Sequence, residues 1–218
     1  FTPDWTGGIS NTFSYRSLSL SFLIDASVGG SIFSNTNKTG KYTGVLANTL
    51  SGRDAEHGGL WYYTAAMGNN VRLPESPSYS VSSDGLYYAQ VNGQSTRVYQ
   101  DGIMVEGVTE SGSKNEEVVS AEKYYHRIYS IAEANVYDAS YVKLREVALS
   151  YRLPRLWTQK LHLQEASVTL TGRNLWTIYK SVPNIDPESA LTTGNAQGVE
   201  AYSLPTTRSF GVNLSVKF

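Results

Sequence analysis

Along much of this chain, apolar and polar residues alternate with a period of two. From Arg208 the even positions read Arg208, Phe210, Val212, Leu214, Val216 and Phe218, and the odd ones Ser209, Gly211, Asn213, Ser215 and Lys217. That pattern predicts a strand with one apolar face and one small, polar face. Near the start, Trp5, Gly7, Ile9, Asn11, Phe13 and Tyr15 alternate with Thr6, Gly8, Ser10, Thr12 and Ser14. After Tyr15-Arg16-Ser17, Leu18, Leu20, Phe22, Ile24, Ala26 and Val28 alternate with Ser19, Ser21, Leu23, Asp25 and Ser27. So short a connection predicts a hairpin. Further on, Val147, Leu149, Tyr151 and Leu153 share one parity, but Val142 and Leu144 fall on the other. A bulge near Arg145-Glu146 reconciles them. Val168, Leu170, Gly172, Trp176 and Ile178 run against Ser167, Thr169, Thr171, Arg173 and Thr177. The expected strands are about 4–15, 18–33, 140–154, 166–180 and 206–218.

Between the second and third strands, residues 34–138 break the pattern and are rich in Gly, Asn, Ser and Asp. Their length predicts a functional or disordered loop. Inside it the reading expects a short helix at Tyr42–Leu50 and an aromatic cluster at Trp61, Tyr62 and Tyr63. It also expects a hairpin turned at Asp101-Gly102 and a helix over Ser120–Tyr129 with Ser120 as N-cap. Residues 155–164 form a short connector with about one helical turn, and 181–204 a medium loop. Connections thus alternate short and long, as the periplasmic turns and extracellular loops of outer-membrane barrels do. Each strand has about the ~10 residues that a tilted strand needs to cross a bilayer. The fold class expected is all-β, a transmembrane antiparallel β-barrel with its C-terminal end at the periplasm.

Composition sharpens this. There are 16 Tyr, 4 Trp and 6 Phe, which suit surfaces wet at one end and apolar at the other. No apolar run is long enough for a membrane-spanning helix, and the net charge of −1 gives no bulk attraction to nucleic acid. With no cysteine, disulfides and thiolate metal sites are excluded. The chain starts at Phe1-Thr-Pro-Asp-Trp5 without Met, which reads as part of a longer protein.

Specific motifs then point to a family. Asn135-Val-Tyr-Asp-Ala-Ser-Tyr-Val-Lys-Leu-Arg-Glu-Val-Ala-Leu-Ser-Tyr-Arg-Leu-Pro154 resembles the D-A-S-[FY]-[VL]-[KR]-L-[RK] segment of SusC/RagA-type TonB-dependent outer-membrane transporters. Leu170-Thr-Gly-Arg-Asn-Leu-Trp176, with Asp186-Pro-Glu188, is similar to that family's G-R-N-L-[FW]…D-P-E segment. Residues 205–218 resemble its closing strand, whereas 36–118 fit only loosely. The resemblance implies the C-terminal part of a 22-stranded barrel whose plug domain is not in this chain. It implies import of oligosaccharide or peptide cargo driven through TonB, with a SusD-like surface lipoprotein as lid. Outer-membrane lipid is then a partner and nucleic acid is not. Phe210, Val212, Leu214 and Val216 become lipid-facing, and Phe218 the end signal for barrel assembly.

Candidate chemistry is sparse. His57, His126 and His162 lie in separate contexts, and no serine sits in a G-x-S-x-G setting, so no enzyme, cofactor or metal centre is expected. Asp186 and Glu188 read as a structural turn rather than a Ca²⁺ site. Trp61, Tyr62 and Tyr63 are candidates for cargo or lid contact, with the loop's own small core as the alternative. Arg173 shares the polar parity and is expected to face the lumen, where a salt bridge to a neighbouring strand satisfies it. Tyr15, Tyr151, Trp157 and Phe218 would mark one membrane edge, and Trp176 and Tyr179 the other. The competing reading is a soluble β-rich carbohydrate-binding module with a long aromatic loop.

Overall fold

The computed structural model describes residues 1–160, 162–189 and 197–218. Within the expected connector and loop, Leu161 and residues 190–196 therefore lie outside the described residues. The chain forms two compact units, residues 1–36 with 135–218, and residues 37–134.

The first unit is built on β1 (Trp5–Tyr15) and β2 (Leu18–Val28), followed by the short β3 (Ser31–Ser34). The second unit contributes α1 (Asn35–Thr43, which begins just before it), β4 (Leu60–Thr64), β5 (Asn70–Arg72), β6 (Tyr79–Val81) and β7 (Tyr87–Val91). It continues with β8 (Gln94–Ile103), β9 (Val119–Ser120) and α2 (Ala121–Ser130). The chain then returns through β10 (Val136–Asp138), β11 (Tyr141–Arg152), α3 (Arg155–Lys160), β12 (Glu165–Lys180), β13 (Val199–Glu200) and β14 (Ser209–Lys217).

The five long strands make one antiparallel sheet in the order β1-β2-β11-β12-β14. Its register turns the separate alternations into two continuous faces. One row across the sheet reads Phe13, Leu20, Leu149, Leu170, Val212. The adjoining row on the opposite face reads Ser14, Ser19, Ser150, Thr169, Asn213. Hydroxyls on that face link across strands, Ser14 to Ser19 at 3.0 Å and Ser150 to Thr169 at 2.8 Å. The expected bulge is present: pairing skips Arg145 on β11, against both neighbours. Because of that extra residue, Leu144 joins the apolar row Ile9, Ile24, Leu144, Trp176 while Val147 joins the next apolar row. A strand of eleven residues such as β2 is roughly 35 Å long. Tilted by about 40°, it rises roughly 27 Å, close to the ~25 Å apolar band of an outer-membrane barrel.

The second strand is shorter than expected. It ends at Val28, because Gly29 and Gly30 both adopt left-handed backbone (φ +79° and +77°) and cannot continue a strand. A Cβ on Gly29 would also meet the Asp4 carboxylate at 2.1 Å. Ser31–Ser34 instead pairs with β10 and β13 in a separate three-stranded sheet. The Asp138-Ala-Ser140 motif supports this corner: Asp138 Oδ1 accepts from the Ser140 amide at 2.7 Å, and Ser140 Oγ accepts from the Gly29 amide at 2.8 Å.

The long insertion is a folded unit rather than an irregular loop. Two expectations within it need correction. The helix lies at Asn35–Thr43, not Tyr42–Leu50; Gly44, at φ +69°, ends it, and only a 3₁₀ turn at Ala47–Thr49 follows. Asp101-Gly102 is not a turn but the interior of β8. A Cβ at Gly102 would meet the Leu60 carbonyl oxygen at 2.5 Å, so this glycine permits close strand approach. The turn sits at Asn92-Gly93, both at positive φ (52° and 78°), as a tight I′ hairpin requires. The α2 helix is capped as expected, with Ser120 Oγ accepting from the Lys123 amide at 3.3 Å.

Candidate functional site

Charge collects at one end of the polar face of the five-stranded sheet. The row Gly8, Asp25, Lys143, Thr177 sets an acid beside a lysine, and the bulge delivers Arg145 to the same side. Opposite them, the segment after β12 makes a tight turn at Asp186-Pro-Glu-Ser189, closed by the Ser189 amide donating to the Asp186 carbonyl at 3.0 Å. Pro187 presets the backbone at the turn position where proline is favoured. Val182 and Ile185 seat this segment by packing on Ile32, with Tyr137 and Ala139 around them.

The turn's two carboxylates meet the sheet's two cations. Lys143 Nζ donates to Asp186 Oδ1 at 2.5 Å and to Glu188 Oε2 at 2.6 Å. Arg145 Nη1 donates to Glu188 Oε2 at 2.7 Å, and Nη2 also reaches Glu188 Oε1. Arg145 Nε and Nη2 both donate to Asp25 Oδ2, at 2.9 and 2.7 Å. Tyr141 Oη donates to Glu188 Oε1 at 2.8 Å, and Thr206 Oγ1 to Asp186 Oδ2 at 2.5 Å. The Lys143–Asp186 pair is buried, at 4 and 8 % side-chain exposure. Three carboxylates against two cations leave the cluster one negative charge.

Burial works against ionised Asp186 and Glu188, but the hydrogen bonds outweigh it. Those from Lys143 and Thr206 hold Asp186 at about 2, and those from Arg145, Lys143 and Tyr141 hold Glu188 at about 2. Depressed folded values mean that the stabilisation is full above the ordinary carboxylate range and is lost as pH falls through the folded values. Acidification from about pH 4.5 to about pH 2 is therefore expected to release the Asp186–Ser189 turn, read as rising amide exchange at Ile185–Ser189. Unchanged protection at pH 2 would refute the ionic clamp.

A second buried carboxylate fixes the return of the same segment. Glu200, fully buried, accepts from Ser34 Oγ at 2.7 Å, Thr36 Oγ1 at 2.6 Å, the Thr36 amide at 3.2 Å and the Ser203 amide at 3.1 Å. All four donors are neutral; burial opposes the charge, and the Thr36 and Ser34 hydroxyls outweigh it to lower the carboxyl's pKa.

These arrangements fix geometry. Both carboxylates of the turn already accept several hydrogen bonds, from Lys143 in each case and from Arg145 as well at Glu188, so neither is poised as a general base. A divalent cation between them would stand against Lys143 and Arg145. Elsewhere, Asp54 and His57 form a cap, with Asp54 Oδ1 accepting from the His57 amide at 2.9 Å. Arg173 lies on the polar face and pairs with Glu146 at 2.9 Å on the neighbouring strand; both are partly exposed, which makes the pair worth at most about 1 kcal/mol. Trp61 and Tyr62 are each 5 % exposed and Tyr63 is half-buried. Trp61 stacks on Tyr79 at 4.8 Å and Tyr62 on Tyr99 at 5.2 Å, so these rings build the small core of their own unit. Phe218 is 84 % exposed just beyond β14. The sequence reading missed Asp25, Lys143, Arg145 and Glu200. The available signal was two cations close together in a strand otherwise rich in hydroxyl and aliphatic residues.

No protein-family model matches the chain. A protein named TonB-dependent receptor P3, from Formosa agariphila, is 34 % identical over 94 residues. That match covers 40 % of this chain and 9 % of the receptor. Solved structures of the RagAB peptide importer, in the open-open and closed-closed states, align with the whole chain at 17 % identity and TM-score 0.48, over 17 % of the solved chain. The chain is thus similar to a TonB-dependent receptor over a limited stretch, in agreement with the motifs quoted above.

Proposed function

We propose that this chain is the C-terminal barrel segment of a SusC/RagA-type TonB-dependent transporter in the outer membrane. The observation that carries this reading is the two-faced sheet. Its apolar face exposes Ile9, Phe13, Leu20, Leu149, Leu170, Phe210, Val212 and Leu214, while its other face is lined by hydroxyls. A solvated sheet does not leave so wide an apolar surface uncovered; lipid on one side and a polar lumen on the other explain both faces. Exposed rings fit the two edges of that band, Tyr15, Tyr151 and Trp157 at one and Trp5, Trp176 and Tyr179 at the other. The outer edges of β1 and β14 then continue into further strands of a closed barrel, which removes both edges. In this role the protein imports an oligosaccharide or peptide, with TonB supplying energy and a SusD-like lipoprotein acting as lid. Arg173 lines the lumen, and the insertion is the extracellular part nearest the lid.

The test uses the full-length protein. It is expected to partition into the detergent phase and to fold only with lipid or detergent. Folding from the aqueous phase alone would overturn the barrel reading in favour of a soluble carbohydrate-binding module.

A further inference from the structure

The inserted unit carries a groove that barrel formation does not use. β5 is the outermost strand of its sheet and, among the described residues, pairs only with β4. Two cavities, of about 550 and 480 Å³, are lined by it and share Asn70 and Asn115. Those two side chains brace the walls: Asn70 Nδ2 donates to the Val118 carbonyl and Asn115 Nδ2 to the Val105 carbonyl, each at 2.8 Å. The lining is aliphatic along Val105, Val119, Ile128 and Ile131, with Val105 50 % and Ile131 44 % exposed.

The rim is charged. Lys123 and Arg127 stand four residues apart on α2, hence on one helix face. Both are exposed, and neither forms a salt bridge among the described residues. Arg72 and Lys114 border the second cavity, and Arg72 meets Glu75 only at 3.8 Å. Glu117 and Glu116 are the acids lining the two cavities, so cations outnumber acids along the groove.

An exposed strand edge, an aliphatic floor and surplus cations ask for a ligand with backbone amides, branched side chains and carboxylates. We propose that the groove binds a short acidic peptide in extended form. Its backbone adds to the free edge of β5, its apolar side chains rest on Val105 and Ile131, and its carboxylates meet Lys123 and Arg127. A sugar site favours a flat exposed ring; here the floor is branched aliphatic, and Tyr124 stands edge-on to Tyr125, with centroids 5.1 Å apart.

The site stands on the inserted unit alone, so it and the transport reading can fail separately. The test is fluorescence anisotropy of the full-length protein in detergent with a labelled Val-Glu-Val-Glu-Val-Glu peptide. The Lys-for-Glu peptide and maltohexaose serve as competitors. Saturable binding is expected, about tenfold or more weaker in the double variant Lys123→Glu/Arg127→Glu, weakened by salt, and lost when alternate peptide amides are N-methylated. If circular dichroism shows that the double reversal misfolds, Lys123→Gln/Arg127→Gln takes its place with the same expected direction. Absence of binding, equal competition by the lysine peptide, preference for maltohexaose, or affinity unchanged by these substitutions would each overturn the proposal.

Discussion

Replacing Lys143 by Met is expected to cost about 3–5 kcal/mol, because it strands Asp186 and part of Glu188 as buried, under-compensated charges. The pair is almost fully desolvated, so solvent screening does little to soften the loss. Arg145 still holds Glu188, and the damage should concentrate on the Asp186 side of the turn. Two measurements define the outcome: the urea midpoint of the full-length protein folded in detergent, and amide exchange over Val182–Ser189. Adding Asp186→Leu to Lys143→Met should restore part of the loss, since removing both partners removes the stranded charge. If the single variant unfolds at the same urea concentration and exchanges no faster, the clamp contributes nothing.

A charge on the apolar face should cost nearly as much. Val147 pairs with Phe22 on one side and Gly172 on the other, midway between the aromatic edges. Val147→Arg is expected to destabilise the protein folded in lipid vesicles by about 2–4 kcal/mol. Ser150→Arg, on the hydroxyl face of the same strand, should cost far less if, as proposed, that face meets a polar lumen. Urea titration in vesicles separates the two. Equal penalties would mean that both faces see the same solvent, and the membrane assignment would go.

What was legible in the sequence follows from the range of each interaction. The five strands were readable because alternation is local, and so was the bulge, since a parity conflict between Leu144 and Val147 has few other solutions. The Ser120 cap spans only three residues. The ionic cluster was not readable. Arg145 meets Asp25 across 120 positions and Lys143 meets Asp186 across 43. The register of the sheet brings the first pair together, and the turn after β12 the second. Glycine misled twice. At Asp101-Gly102 it serves close packing where a turn was expected, and at Gly29-Gly30 it ends a strand that the apolar residues beyond it seemed to extend. The rings at Trp61 and Tyr62 show the limit for function, since a sequence does not distinguish a core aromatic from a docking one.

The neck of the insertion has a consequence of its own. The chain leaves the first unit through β3 and returns through β10, and these two strands are paired, Phe33 with Val136. Their Cα atoms are therefore only about 5 Å apart. The sheet is indifferent to how much chain is hung between those points, because the ends are already closed and added length costs little. Residues 37–134 can thus drift, lengthen or be exchanged for another domain while the wall keeps its registry. Such an arrangement lets one sheet carry different inserted domains by grafting at a single place.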